Sequence, residues 1–299
     1  MTATERPMPT GTAVPAPMDV ALPPVDRGPL RRVRLRRAAQ QAAAVALTIF
    51  MAAPIYLITL AAFSSRAEHN RFPKAVWPRD PSTETLRGFL GSTGVVPAFF
   101  NSVVVGLATI VVSLIVGAPA GYAIARYVFR GRDTYQLFLL LTRSLPIVVL
   151  SIPLATLFLN AGIYDSVLAV TLVHSALALP TTVLITASVF VAVPADLEEA
   201  ALIFGCSRLG AFRRVIAPMA LPGIAASGIF TFVLSWNEIL GAAVLTLANR
   251  TLPAQVLTSL SDSPVYYRFA GGFALVVPAL LFILLMRRYL LNMWGSTIR

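Results

Sequence analysis

Apolar runs long enough to cross a bilayer recur along this chain, and they leave it few possible folds. The first extends from about Ala39 to Phe63. As a helix it would rise about 37 Å. Others run from about Phe99 to Ala125, Tyr135 to Leu159, Ser166 to Val191, Met219 to Leu247 and Phe269 to Met286. In hydrocarbon, every backbone N–H and C=O must find a partner within the protein, which favours helices. The expected fold class is therefore all-α, a polytopic membrane protein with six transmembrane helices. Composition agrees: 12% of residues are charged, where a soluble domain has about a quarter. A signal peptide has an apolar core of about 7–15 residues, so the first run is expected to stay as an uncleaved anchor.

The formal net charge of +11 would suggest nucleic acid in a soluble protein. Here the basic residues flank the apolar runs and set topology instead, so no nucleic-acid partner is expected. With six spans and the N-terminus inside, the clusters at Arg31–Arg37, Arg126–Arg132, Arg208–Arg214 and Arg287–Arg288 all fall on the inner side. The outer loops, 64–98 and 248–268, carry fewer. Both termini are then cytoplasmic, and the protein sits in the plasma membrane as a multi-pass chain. Residues 1–38 read as a basic cytoplasmic tail, disordered because Pro, Ala and Thr without apolar periodicity cannot form a core. Residues 39–286 form the membrane domain, and 287–299 a cytoplasmic C-terminal tail.

One inner segment is not loop-like. From Glu199 to Pro218 the chain reads EAALIFGCSRLGAFRRVIAP. Arg208, Arg213 and Arg214 exclude it from hydrocarbon. Leu197, Ala200, Ala201 and Phe204 nevertheless recur at helical spacing. Asp196 is the expected N-cap, with Glu199 three residues on as in a capping box. Gly205 is suited to end that helix in a left-handed conformation. Leu209, Phe212 and Ile216 begin a second apolar face. The reading is a cytoplasmic helix-turn-helix over 195–218 whose apolar surface, outside the membrane, wants a protein partner.

The spacing of Glu199, Ala200, Ala201, Gly205 and Pro218 resembles the EAA loop of permease subunits in ATP-binding-cassette importers. Val215 and Ala217 stand where that pattern has Ile and Leu, and Phe204 where many carbohydrate importers have Asp. Further segments resemble the carbohydrate-importer branch that is similar to the second permease of the maltose transporter. These are GYAIARYVFRGRD, LPIVVLSIPL, VFVAVPADLEEAA, SWNEIL and TLPAQV. The resemblance covers about residues 40–299. It implies a second permease subunit, two ATPase subunits, an extracytoplasmic solute-binding protein and a lipid bilayer as partners. It also implies a coupling role for Glu199, Ala200, Ala201, Gly205, Leu209, Phe212 and Pro218, and a sugar, oligosaccharide or polyol as substrate. The C-terminal LNMWGSTIR departs from the family's small-residue tail.

No phosphate-binding G-x-x-x-x-G-K-[ST] occurs, nor any H-E-x-x-H or G-x-S-x-G. The single Cys206 excludes an internal disulfide, and two His are too few for a His-based metal site. No catalytic residues, cofactor or metal are expected, and ATP hydrolysis is assigned to a partner chain. Ionisable groups within spans default to function. Arg143, His174 and Glu238 are such groups. Trp236 and Asn237 beside Glu238 add an aromatic face and an amide, the combination sugars bind. Each also suits packing, and for His174, with Ser175 and Thr171 as near partners, packing is the favoured reading. An importer of a non-carbohydrate solute such as polyamine shares the loop. A stand-alone secondary transporter would lack the need for a cytoplasmic docking surface.

Overall fold

The computed structural model describes residues 28–259 and 263–295. Of the tail expected to be disordered over residues 1–38, residues 1–27 lie outside them, and 28–38 are instead the first turns of a helix that runs on into the first apolar span. The end of the C-terminal tail also lies outside the described residues. The described residues form thirteen α-helices and one π-helical turn. In order these are α1 (Gly28–Ala62), α2 (Arg66–His69), α3 (Glu84–Leu90), α4 (Val95–Arg126), α5 (Arg132–Thr142), α6 (Ile147–Asn160) and α7 (Val167–Ala192). Then follow α8 (Ala195–Ile203), α9 (Arg208–Ala211), the π turn (Phe212–Ile216), α10 (Ala217–Asn237), α11 (Leu240–Leu245), α12 (Leu252–Ser259) and α13 (Val265–Gly295). Five helical stretches are long and apolar enough to cross a membrane, and α5 with α6 makes a sixth if that bent pair counts as one.

The chain divides after Ala52 into two units. In the first, the described apolar side chains are exposed, Phe50 and Met51 among them. The second holds the bundle. Its centre is α4 laid along α7, and small residues bring the two together. Gly117 and Gly121 lie one turn apart on α4, and a Cβ on Gly121 would come within 2.2 Å of Thr186 Oγ1. Thr186 donates to the Gly117 carbonyl at 3.1 Å. Close backbone approach through small residues, joined by hydroxyl hydrogen bonds, is how helices associate where lipid removes the hydrophobic drive. Thr182 of α7 meets Thr231 of α10 at 2.9 Å, which adds the third helix to the core.

Two spans read as continuous are broken. The run from Tyr135 to Leu159 bends by 89° between α5 and α6. Pro146 is the cause: the residue before a proline is disfavoured in helix, and Pro146 itself is extended (φ −67°, ψ 127°). The run from Met219 to Leu247 stops at Asn237 because Glu238 is extended (φ −77°, ψ 123°). Its carboxylate then accepts the N–H groups of Gly241 at 3.0 Å and Ala242 at 3.2 Å, capping α11. The expected tail from residue 287 onward is helical as far as Gly295, as a continuation of α13.

Candidate functional site

The segment after α7 forms a closed and ordered loop. Pro194 follows Val193, which ends α7 in an extended conformation. Pro194 is also the N-cap of α8. Asp196 is therefore not the cap as expected; it lies in the first turn with Glu198, where negative charge suits the positive helix end. Glu199 is exposed and closes no capping box. At the other end Gly205 adopts φ +86°. Its N–H donates to the Leu202 carbonyl and that of Cys206 to the Ala201 carbonyl, each at 3.0 Å. This pair of bonds is the Schellman closure, and it needs a residue without a Cβ penalty in the left-handed region.

Ser207 then caps α9, accepting the Gly210 N–H at 3.1 Å. The sequence suggested a separate second helix here. The structure joins α9 through the π turn to α10, one helical stretch from Arg208 to Asn237. The Ala217 N–H reaches back five residues to the Phe212 carbonyl. Pro218 has no N–H to give, so a regular α ladder fails at this point and the wider turn takes its place.

The loop's apolar residues divide into two sets. Ile203 and Phe204 are 84% and 88% exposed, and Leu209 is also exposed. Phe212, expected on the same docking surface, turns inward instead. Its ring packs 4.7 Å from Tyr122 and 5.8 Å from Phe190, centroid to centroid. The reason is connectivity: Phe212 opens the π turn and is carried against the inner ends of α4 and α7. Ala201 is buried, Ala200 half-buried and Pro218 exposed.

Beneath α8 lies a polar contact the sequence reading did not single out. Tyr122 donates to Glu198 Oε1. Glu198 Oε2 lies 3.1 Å from Arg126 Nε, and both side chains are largely buried. Arg126 Nη2 donates to the Val193 carbonyl at 2.8 Å. The loop is thus tied to the last turn of α4 by an ion pair and a phenol. Only the presence of an acid beside Glu199 hinted at this.

A second cluster lies inside the bundle. His174 on α7 is fully buried. Its Nδ1 is 2.8 Å from Ser235 Oγ, and its Nε2 is 3.1 Å from Glu238 Oε2. Ser175 and Thr171, the expected partners, are not the ones it uses. Trp236 is closed into the core, 3% exposed. It donates to the Leu275 carbonyl and stacks on Phe232, so its face is not free for a ligand. Asn237 is exposed and donates to the Val233 carbonyl. Arg143 is exposed at the α5–α6 bend, away from this cluster's hydrogen bonds. Of the five residues considered for a substrate path, the structure brings His174 and Glu238 together and disperses the rest.

At the opposite end of α7 from the loop, Asp165 (φ +55°) joins the α6–α7 turn to the segment after α11. Its carboxylate accepts the N–H groups of Leu247 at 2.8 Å, Ala248 and Asn249. Burial alone would raise its pKa; the three N–H groups outweigh that and hold the carboxyl below its ordinary range.

A helical bundle with several apolar spans, two of them broken, and an ordered polar loop at one end defines a polytopic membrane protein. The comparisons with known proteins make the class specific. Residues 117–291 match the family model described as binding-protein-dependent transport system inner membrane component. The chain belongs to that family. Among its relatives is a trehalose transport system permease protein of Mycobacterium tuberculosis, 32% identical over 70% of this chain and 79% of the relative. A diacetylchitobiose uptake system permease protein of Streptomyces coelicolor is 29% identical over 72% of this chain and 76% of the relative. Among solved structures, a bacterial ABC transporter involved in the import of the acidic polysaccharide alginate is similar in fold. Its TM-score is 0.64 at 20% identity, covering 90% of this chain and 98% of that one. A MetNI methionine ABC transporter gives a TM-score of 0.56 over 65% of this chain and 94% of that one.

Proposed function

We propose that this chain is the permease subunit of an ATP-driven importer for a sugar, oligosaccharide or polyol, and that residues 195–218 are its coupling loop. The observation that carries this reading is the loop itself. A Schellman-closed turn at Gly205, pinned to α4 through Glu198, presents Ile203, Phe204 and Leu209 to solvent on a chain without a nucleotide-binding motif. Such a rigid apolar ridge fits a cleft on an ATPase. In this reading a second permease completes the translocation path and an extracytoplasmic solute-binding protein delivers substrate. Two ATPase subunits supply the energy.

The carbohydrate class is supported by relatives whose names specify trehalose, diacetylchitobiose and arabinooligosaccharides. In the same reading a membrane domain covers 39–286, a basic N-terminal segment, helical from Gly28, precedes it, and both termini lie on the cytoplasmic side. The test is affinity purification of the chain from its native membrane, then uptake of labelled trehalose and short oligosaccharides in proteoliposomes. A second permease and an ATPase should copurify, and uptake should require ATP. Uptake by the chain alone, without ATP, would point to a secondary transporter.

A further inference from the structure

The segment between α2 and α3 folds as a flap pinned at both ends. The Ser65 N–H donates to the Asp80 carbonyl at 3.3 Å, and the Ser82 N–H to the Phe63 carbonyl at 2.8 Å. Between these points the chain turns back along α1, where Tyr56 donates to the Val76 carbonyl at 2.7 Å. Tyr56 precedes the last residue of α1 by six positions. At helical rise that is about 9 Å inside the helix end. Helical side chains lean toward the N-terminus, so the hydroxyl lies no nearer that end than its backbone. The headgroup layer is only about 5–8 Å deep on each side. The flap therefore lies beside the final turns of an apolar span rather than above them.

Its surface suits that depth. Phe72, Val76 and Trp77 are 80%, 61% and 74% exposed. Around them stand Arg71, Lys74 and Arg79. Glu68, largely buried, lies 4.0 Å from Arg71 and 3.9 Å from Arg79. The Lys74 ammonium donates to the His69 carbonyl and sits 4.4 Å from the Phe72 ring centre. Exposed aromatics interleaved with basic residues at a span end match the interfacial belt, where amphipathic rings sit at headgroup level. Behind the flap is a cavity of about 650 Å³. Leu57, Leu60 and Phe269 give it an apolar wall, and His69, Asn70 and Lys74 a polar rim.

We propose that the flap, residues 70–79, is an interfacial anchor seated in the bilayer, and that the cavity behind it holds one phospholipid. The acyl chain lies against Leu57, Leu60 and Phe269, with the phosphate at Lys74. A protein partner docking from the aqueous side would need the aromatics above the span end, and the Tyr56–Val76 bond holds them beside it. The proposal rests on the chain spanning a membrane and not on which side faces out, so a reversed topology would leave it intact.

The test uses the full-length chain and its Trp77→Phe variant in nanodiscs of phospholipid carrying bromine on one acyl chain. The Trp77 signal is the difference between the two emissions. It should lose most of its intensity in brominated lipid and keep it in the presence of aqueous iodide. Phe72→Trp in the Trp77→Phe background moves the reporter and should give the same result. Quenching by iodide and not by bromine would overturn the proposal and make the flap a water-facing docking surface. Protection from both quenchers would also overturn it, placing the flap against another subunit. Lipid extracted from chain purified in mild detergent should include phospholipid that Lys74→Glu loses. Equal retention by that variant would overturn the cavity assignment.

Discussion

Glu198 and Arg126 face each other across 3.1 Å, joining the first turns of the loop helix α8 to the last turn of α4. All of α5, α6 and α7 lie between them in sequence. A push on α8 therefore reaches α4 through an ion pair, and α10 through the backbone itself.

The two neighbouring acids of the loop should consequently separate in their effects. Removing one partner of a buried ion pair costs about 3–5 kcal/mol, and a pair with some residual exposure falls toward the lower figure. Glu198→Gln should lower the melting temperature and reduce uptake. Glu199→Gln, at an exposed position, should leave the melting temperature unchanged. Melting curves of both variants in one detergent check this, and equal curves would contradict the ion pair's role.

The two phenylalanines of the loop should separate in the same way. Phe212→Ala opens a gap beside Tyr122 and Phe190, and a core Phe truncation costs about 3–5 kcal/mol, less for a ring with some exposure. It should cut thermal stability and membrane abundance. Phe204→Ala removes an exposed ring, so stability should hold. If Phe204 is a hot spot of the docking ridge, ATPase affinity should fall by about 2 kcal/mol or more. Complex stoichiometry and melting temperature on one preparation distinguish the pair.

Gly205 holds a left-handed conformation with nothing within 4 Å of the position a Cβ would occupy. The cost of Gly205→Ala is then backbone strain alone, about 1–2 kcal/mol. Gly205→Pro additionally removes the N–H bonded to Leu202. It should leave the spans inserted while uncoupling ATP hydrolysis from uptake. Normal uptake by that variant would remove the loop from the mechanism.

Asp165 makes stability depend on pH with a fixed sign. Its folded pKa lies below the unfolded value of about 3.9, so its contribution is present above that value. The contribution is lost as pH falls through the folded pKa. Asp165→Asn keeps a residue that tolerates the left-handed backbone but removes the titration. The melting temperature of the parent should drop more steeply below about pH 4 than that of the variant. Parallel curves would show that the carboxylate is not holding residues 247–249.

Sidedness can be read with thiols because Cys206 is the one cysteine. In a Cys206→Ala background, Thr83→Cys, exposed and outside the flap, should react with an impermeant reagent in intact cells. Arg208→Cys should react only after permeabilisation. The reverse would put the loop on the extracytoplasmic side.

The turn at Gly205 was legible in the sequence because one residue type, at one spacing, meets a backbone demand that few others can meet. The bends at Pro146 and Glu238 were not, since apolar residues run through both and hydropathy carries no direction. Pro146 was visible, but prolines occur elsewhere in these spans without an 89° bend. Glu198 and Glu199 are adjacent, and which one faces inward depends on Tyr122 and Arg126, more than seventy residues away. Phe212 was misplaced for a related reason. Its periodic spacing with Leu209 and Ile216 assumes a regular helix, and the π turn begins at Phe212 itself.

That turn also fixes an azimuth. Each residue of an α-helix advances the chain by about 100° around its axis, and a π turn accommodates one more residue than an α turn would. Everything N-terminal to Phe212 is thereby rotated relative to α10 by about that angle. The ridge of Ile203, Phe204 and Leu209 points where it does because of that single added residue. Deleting one residue between Phe212 and Ile216 would restore an ordinary helix and swing the ridge about a quarter-turn away. The loop's heading is thus indexed in whole residues, and it admits no fine adjustment by side-chain substitution.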